Sequence, residues 1–95
     1  MDKLFCVYMM TNAHNTVLYT GVSSDLKGRV WQHKNHVVKG FTQRYKTTKL
    51  VYYEVCPGAD AAIWREKRVK SMDRAEKEKL IKAINPTWRD LYDEL

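Results

Sequence analysis

The chain has 95 residues, of which 44% are hydrophobic and 29% charged, and its formal net charge is +6. This length allows one hydrophobic core, so residues 1–95 are predicted to form a single domain with any active site on the walls of that core. No apolar run approaches the length of a membrane span, and the first residues lack the layout of a signal peptide, so we expect a soluble, cytoplasmic protein.

The first half of the chain predicts a hairpin followed by a helix. Residues 3–10 are typical of a strand, and both alternating sets of residues 5–10 are apolar, so both of its faces should be covered. Residues 16–22 should pair back on it, with Gly21 marking a bulge or a close approach to the backbone. Residues 23–25 offer N-cap chemistry for a helix over residues 26–36.

The next segment predicts a loop, a strand and a helix. Residues 40–48 suggest a loop with a short helical turn, and residues 49–55 are rich in the β-branched and aromatic residues of a strand. Asp60 can cap a helix over residues 61–71. Three basic residues of that helix are expected to form a solvated face: Lys67, Arg68 and Lys70.

A final helix is predicted from a capping box. Asp73 and Glu76 have the spacing of that motif, and the helix should end near Ile84 because the residue before Pro86 is disfavoured in the α region. Residues 87–95 fit either a short helix or a tail. The predicted order is ββαβαα, an α+β fold in which helices flank a small, three-stranded, mainly antiparallel sheet.

Basic residues are concentrated in the middle of the chain. Between Leu26 and Tyr53 there are seven basic residues and no acidic one: Lys27, Arg29, Lys34, Lys39, Arg44, Lys46 and Lys49. A one-sided basic stretch is the electrostatic footprint of a polyanion partner. The alternative is a solvated basic face with no partner, and charge alone does not separate the two.

The first predicted helix carries a stripe that mixes apolar and functional side chains. Leu26, Val30 and Val37 share it with Arg29 and His33, and the apolar members should face the sheet. An arginine on a core-facing stripe is costly unless it is paired or reaches an anion, and its planar guanidinium group suits phosphate. Alternatively, its stem packs while its head reaches solvent.

Glu66 lies on the core-facing stripe of the second predicted helix, near Ala62 and Val69. A carboxylate there needs a cation. One interpretation is a structural ion pair with Arg29. The other is a carboxylate that holds a single Mg²⁺ or Mn²⁺ ion, since hard cations use few protein carboxylates and fill the remaining positions with water.

Two strand tyrosines complete the candidate site. Tyrosine is common in β-strands, so Tyr8 and Tyr19 can be explained by strand preference alone. Beside a metal ion and Arg29, a phenol could also help to deprotonate a water molecule, although its ordinary pKa near 10 requires help from the metal or from His33.

The ordered set of these residues resembles the GIY-YIG endonuclease superfamily. The residues that carry the resemblance are Cys6-Val7-Tyr8, Tyr19-Thr20-Gly21, Arg29, His33, Glu66 and Asn85. The similarity covers about residues 3–92 and is greatest to small stand-alone bacterial members that resemble the excision-repair nuclease module. The first tripeptide lacks the Gly and Ile of the family pattern, and Thr20 replaces the Ile of the second.

The resemblance implies a catalytic role for each of six residues. Glu66 would bind the metal ion and Arg29 would stabilise the phosphate in the transition state. The set that would position or deprotonate water is Tyr8, Tyr19 and His33. Asn85 would support the site, although its place before Pro86 also explains it as a helix stop.

Three functions follow as hypotheses. The first is a metal-dependent endonuclease that cuts nucleic acid, DNA in preference to RNA, in a structured or repair-related context. The second is a nucleic-acid-binding module on a nuclease fold with little or no catalysis, because fold alone does not determine function. The third is an interaction protein whose basic stretch meets an acidic protein. A protein partner for targeting is compatible with each of them, and the oligomeric state stays open.

Overall fold

A computed structural model describes residues 4–37, 40 and 44–95 and contains one antiparallel sheet in the order β2-β1-β3. The strands are β1 (Phe5–Thr11), β2 (Leu18–Ser23) and β3 (Lys49–Cys56). The helices are α1 (Leu26–Lys34), α2 (Ala59–Lys70) and α3 (Arg74–Ile84), and a short 3-10 turn follows at Tyr92–Glu94. Within these residues the predicted ββαβαα order and the α+β class are confirmed.

The central strand β1 is buried on both faces, as its uninterrupted apolar sequence predicts. Val7 and Met9 contact Ala62 and Val69 of α2 and Ile81 of α3 on one face. This face carries the larger of the two hydrophobic clusters, so α2 and α3 hold the sheet from one side.

The opposite face of the sheet is covered by α1. Tyr8 and Met10 of β1 pack there with Leu26 and Val30 of the helix and with Leu50 of β3. Burial of these apolar surfaces fixes α1 against the sheet. The helix therefore brings its polar side chains to the same face as Tyr8.

Two of the three predicted caps are confirmed. Asp25 accepts a hydrogen bond from the Gly28 nitrogen at 3.1 Å and begins α1. At α3 both halves of the capping box form: the Asp73 side chain accepts from the Glu76 nitrogen, and the Glu76 side chain accepts from the Asp73 nitrogen. These bonds satisfy backbone donors that a helix N-terminus would otherwise leave unpaired.

Two local predictions are wrong. Asp60 is not the N-cap of α2, because the helix begins at Ala59 after an extended Gly58, and Asp60 lies in the first turn. In the first turn, the negative charge of Asp60 still stabilises the helix by interacting with the positive end of the helix dipole. Val37 does not face the sheet, because α1 ends at Lys34 and the Val37 side chain is exposed.

The C-terminal segment packs along β3. The Leu91 nitrogen donates to the Leu50 carbonyl at 2.8 Å. The Asp90 carboxylate accepts from the Leu50 nitrogen at 3.2 Å and forms an ion pair with Lys34 of α1. This segment therefore covers part of the outer edge of β3 and connects that edge to α1.

Candidate active site

Two tyrosines and a histidine meet on the α1 face of the sheet. Tyr8 pairs with Gly21 and Met10 pairs with Tyr19, so both tyrosine side chains project from the same face. The Tyr8 hydroxyl is 2.9 Å from Nε2 of His33, in the last turn of α1. The His33 ring centroid lies 5.7 Å from that of Tyr8 and 5.2 Å from that of Tyr19. Tyr8, Tyr19 and His33 are called the Tyr–His cluster below.

Gly21 makes room for this cluster. A Cβ atom at this position would lie 2.6 Å from the hydroxyl oxygen and 2.7 Å from Cζ of Tyr8, and 3.0 Å from Cε1 of Tyr19. Of the two predicted reasons for Gly21, the close approach is the one observed. The bulge lies elsewhere, between Met9 and Met10 in the pairing of β1 with β3.

His33 is a neutral, buried imidazole. Burial, followed by the positive charge of Arg29, lowers the pKa of His33 to about 4. The ring is therefore uncharged at pH 7, and its tautomer decides whether Nε2 donates to the Tyr8 hydroxyl or accepts from it. Its Nδ1 atom is buried and has no hydrogen-bond partner among the described residues.

Tyr8 is a neutral phenol. Burial raises the pKa of Tyr8 above its ordinary value; Tyr19 and Glu66 raise it further, and Arg29 acts in the opposite direction. A phenol in this state can orient a water molecule by donating or accepting a hydrogen bond. It is not a base at pH 7 unless a cation stabilises the phenolate.

Two opposite charges lie close enough to the Tyr–His cluster to act on the pKa of Tyr8, those of Arg29 and Glu66. Arg29 lies one turn before His33 on α1, is exposed, and forms no ion pair with any described residue. Glu66 of α2 is largely buried, with 17% of its side chain exposed, and its Oε1 is 3.0 Å from Nζ of Lys70. The interpretation of Arg29 and Glu66 as a structural ion pair is therefore wrong, and a phosphate can reach Arg29 without breaking one.

Glu66 is the carboxylate beside the cluster. Within the described residues no three His, Cys, Asp or Glu side chains converge as metal ligands, which excludes a closed zinc site there. A single carboxylate fits a hard divalent cation, which takes oxygen ligands and keeps several waters. Lys70 is compatible with this role because 54% of its side chain is exposed, so its ammonium group can move into solvent.

Asn85 uses its side chain to organise the backbone. Its Nδ2 donates to the Val51 carbonyl at 3.0 Å and to the Arg89 carbonyl at 2.8 Å, and its Oδ1 accepts from the Arg89 nitrogen at 3.2 Å. These bonds hold the segment after α3 against β3. None of the hydrogen bonds found in the described part of the chain joins Asn85 to the Tyr–His cluster.

The predicted nucleic-acid-binding residues of α1 have different surroundings. Lys27 and Arg29 are exposed. The positive charge of Lys34 is compensated by Asp90, and its Nζ atom lies 5.1 Å from the centroid of the Tyr92 ring. Lys39 lies outside the described residues. The basic surface of α1 is therefore centred on its first two turns, beside the cluster.

The remaining two predicted binding residues lie before β3. The guanidinium of Arg44 is 5.7 Å from the centroid of the Tyr45 ring. Lys46 lines a cavity of about 500 Å³, whose walls also include His14, His36 and Tyr45. Arg44 and Lys46 are both exposed.

A second cleft, which no sequence pattern predicted, lies beside Glu66. Lys70 is exposed, as predicted, but it also pairs with Glu66, and the i, i+4 spacing of the two residues was the available signal. Lys70 also lines a cleft of about 290 Å³ with Lys77, and the complete lining is Leu18, Tyr19, Thr20, Lys70 and Lys77. No spacing in the sequence connects Thr20 to Lys77. This space is called the two-lysine cleft.

A protein-family model matches the part of the chain that contains the Tyr–His cluster. Residues 4–79 match the model of the GIY-YIG catalytic domain. The chain belongs to the GIY-YIG family. The matched range contains the Tyr–His cluster, Arg29 and Glu66, whereas Asn85 lies beyond it. The GIY-YIG domain defines a nuclease superfamily, and membership of it implies a nucleic acid substrate.

Several relatives have similar length. The chain is 35% identical over 75 residues to a UPF0213 protein of Natronomonas pharaonis, covering 79% of this chain and 87% of that protein. It is 35% identical over 81 residues to a UPF0213 protein of Staphylococcus epidermidis, covering 85% of this chain and 96% of that protein. A UPF0213 protein of Pseudomonas aeruginosa is 30% identical over 91 residues, covering 96% and 86% of the two chains. These names state no substrate.

A solved structure shares the GIY-YIG fold of this chain. The solution NMR structure of the UPF0213 protein BH0048 from Bacillus halodurans aligns with a TM-score of 0.58 and 23% identity, covering 92% of each chain. At this identity the similarity concerns the fold. None of the described helices is long and apolar enough to cross a membrane.

Proposed function

We propose that this chain is a divalent-metal-dependent endonuclease that hydrolyses phosphodiester bonds in nucleic acid, with structured or repair-related DNA as the substrate. The observation that supports it most is the Tyr–His cluster within the electrostatic reach of an unpaired Arg29 and of the carboxylate of Glu66. Phosphodiester hydrolysis needs a cation at the phosphate, an oriented water molecule and stabilisation of the leaving oxygen. The side chains at this site suit each task.

Arg29 is assigned to the phosphate. Its guanidinium is exposed and has no ion-pair partner in the described part of the chain, so binding an anion costs no existing interaction. Arginine binds phosphate oxygens through two parallel hydrogen bonds, and charge developing in the transition state strengthens them. Its field already acts on Tyr8 and His33, so the phosphate it binds would lie next to the Tyr–His cluster.

Glu66 is assigned to one Mg²⁺ or Mn²⁺ ion. When bound, such an ion neutralises charge on the phosphate and stabilises the leaving oxygen. The protein contributes a carboxylate that is largely buried and held by α2 close enough to Tyr8 to raise its pKa. The ion pair with Lys70 keeps this carboxylate compensated in the absence of other cations.

The Tyr–His cluster is assigned to the water molecule. His33 stays neutral at pH 7, and its hydrogen bond with Tyr8 fixes the phenol, so that the phenol can orient the water molecule. Tyr19 contacts both rings from the neighbouring strand. Buried rings on two paired strands and one packed helix form a rigid wall, which is what positioning a nucleophile requires. Asn85 supports this wall indirectly, because it fixes the chain after α3 to β3.

The alternative function is nucleic-acid binding with little or no catalysis. The Glu66–Lys70 ion pair favours it, because in this arrangement the carboxylate already has a cation. Under this alternative, Arg29 and Lys27 would still bind phosphates. Binding would weaken steeply with salt and would not depend on divalent ions.

Cleavage assays separate the two functions. Purified protein is incubated with plasmid, single-stranded and branched DNA and with RNA, with Mg²⁺, Mn²⁺ or EDTA. The endonuclease proposal predicts products with the divalent ion and none with EDTA. Arg29→Ala should reduce turnover a hundredfold or more (on the order of 3 kcal/mol), whereas Arg68→Ala, which removes an exposed arginine of α2, should not. Salt-sensitive binding of every substrate without product would instead establish the binding module.

A further inference from the structure

The two-lysine cleft lies directly beside the proposed active site. Tyr19 belongs to both, and Lys70, which lines the cleft, is paired with Glu66. The cleft lies between edge strand β2, the end of α2 and the second turn of α3. It is therefore separate from the basic surface of α1, which carries Lys27 and Arg29.

One lysine of the cleft carries an uncompensated charge. The lining contains Lys70 and Lys77 and no acidic residue, but Lys70 is paired with Glu66 from outside the lining. Lys77 is half-buried and forms no ion pair with any described residue. A partly desolvated ammonium without a counter-charge attracts anions more strongly than a fully solvated one.

The cleft also contains a hydroxyl without a partner. Thr20 is 5% exposed, and its Oγ1 atom is buried and has no hydrogen-bond partner in the described part of the chain. Buried hydroxyls are usually paired, and the exceptions often mark a position that a ligand or water fills. An ammonium group and a hydroxyl, both without a partner among the described residues, are donors that bind phosphate oxygens.

We propose that the two-lysine cleft binds a backbone phosphate of the nucleic acid next to the phosphate that is cut. This inference rests on the proposed function for the identity of the substrate. Arg29 would hold the reacting phosphate on the α1 side, and the cleft would hold a neighbouring phosphate on the α2 and α3 side. A strand bound at both points would cross the Tyr–His cluster in a fixed direction, and substrates too short to reach the cleft would bind more weakly.

Binding in EDTA tests the cleft independently of cleavage. Fluorescence anisotropy of labelled oligonucleotides is measured over a range of salt concentrations for wild type, Lys77→Gln and Lys79→Gln. Lys79 is an exposed lysine of the same helix, so its variant loses the same charge outside the cleft. Lys77→Gln should weaken binding several-fold and reduce the salt slope by about 0.7–0.9, as loss of one phosphate contact does. Equal slopes for Lys77→Gln and Lys79→Gln would overturn the proposal.

Thr20→Val provides a second test that is insensitive to charge. Because the Thr20 hydroxyl has no partner in the described part of the chain, its removal should leave the melting temperature unchanged or raise it, while nucleic-acid binding weakens. A variant that binds oligonucleotides like wild type would contradict the role of Thr20. Pyrophosphate and mononucleotides are titrated in parallel by NMR. Saturation of the cleft by these small phosphates, with no gain in affinity for longer strands, would refute the backbone assignment. If oligonucleotides bind through the cleft but are never cut, the inference holds and only the endonuclease proposal fails.

Discussion

Substitution of Gly21 by alanine tests the packing of the Tyr–His cluster on β2. The new Cβ would lie 2.6 Å from the Tyr8 hydroxyl oxygen and 2.7 Å from its Cζ, so the ring must move. Tyr8 is 1% exposed and is held between the sheet and α1, which leaves little space for that movement. The expected displacement separates Tyr8 from His33.

The magnitude follows from three terms. Overpacking a core costs about 1–3 kcal/mol. Loss of the 2.9 Å hydrogen bond between Tyr8 and His33 adds about 1 kcal/mol. Replacing glycine reduces the entropy of the unfolded chain and returns about 0.4–1 kcal/mol. The net loss is about 1–3.6 kcal/mol in free energy of unfolding, which is roughly 4–29 °C in melting temperature for a domain of this size.

Thermal unfolding followed by circular dichroism measures this loss. Gly58→Ala is the matched control, because a Cβ atom at Gly58 would meet no atom within 4 Å. The His33 ring resonances report whether the bond to Tyr8 has moved. Equal melting temperatures for Gly21→Ala and Gly58→Ala, with unchanged His33 resonances, would show that the close approach at Gly21 does not position the cluster.

Three further predictions concern His33, Lys70 and Asn85. The pKa of His33 is about 4 in the folded chain and about 6.5 in the unfolded chain, so the stability contributed by its neutral ring is complete above pH 6.5 and is lost as the pH falls towards 4. Relative to wild type, His33→Gln should therefore remove about 2–3 kcal/mol of the pH dependence of the free energy of unfolding, measured by denaturant titrations. Parallel curves of stability against pH for the two proteins would refute this prediction. Lys70→Gln should tighten Mn²⁺ binding several-fold in calorimetry, because it removes the cation that pairs with Glu66, and unchanged affinity would place the ion elsewhere. Asn85→Ala should lower the free energy of unfolding by about 1–3 kcal/mol, since buried carbonyls lose their donor, and a neutral result would contradict its role in fixing the backbone.

The fold was largely predictable because local signals agree with the packing. The continuous apolar sequence of β1 predicted a strand buried on both faces, and the capping box at Asp73 fixed the start of α3. The start of α2 was missed by two residues, because Asp60 is also a favourable first-turn residue and the sequence does not distinguish that position from an N-cap.

The sequence predicted which residues form the candidate site better than it predicted their burial and their ion-pair partners. The spacing of Arg29 and His33 placed both on one side of α1, and the structure buries His33 while it exposes Arg29. The pairing of Glu66 with Lys70, rather than with Arg29, depends on how α2 crosses the sheet. Local patterns do not specify that geometry, because it is set by contacts between residues far apart in the sequence.

Loss of the Glu66 carboxylate tests the central claim most directly. Turnover by Glu66→Ala is compared with turnover by Glu78→Ala on whichever substrate the wild type cleaves, with Mg²⁺ or Mn²⁺ present. Glu78 is the matched control, since it also forms an i, i+4 ion pair on a helix, with Arg74, outside the cluster. We predict a loss of a hundredfold or more for Glu66→Ala and near wild-type turnover for Glu78→Ala. Equal turnover in the two variants would contradict the assignment of Glu66 and, with it, the proposed mechanism.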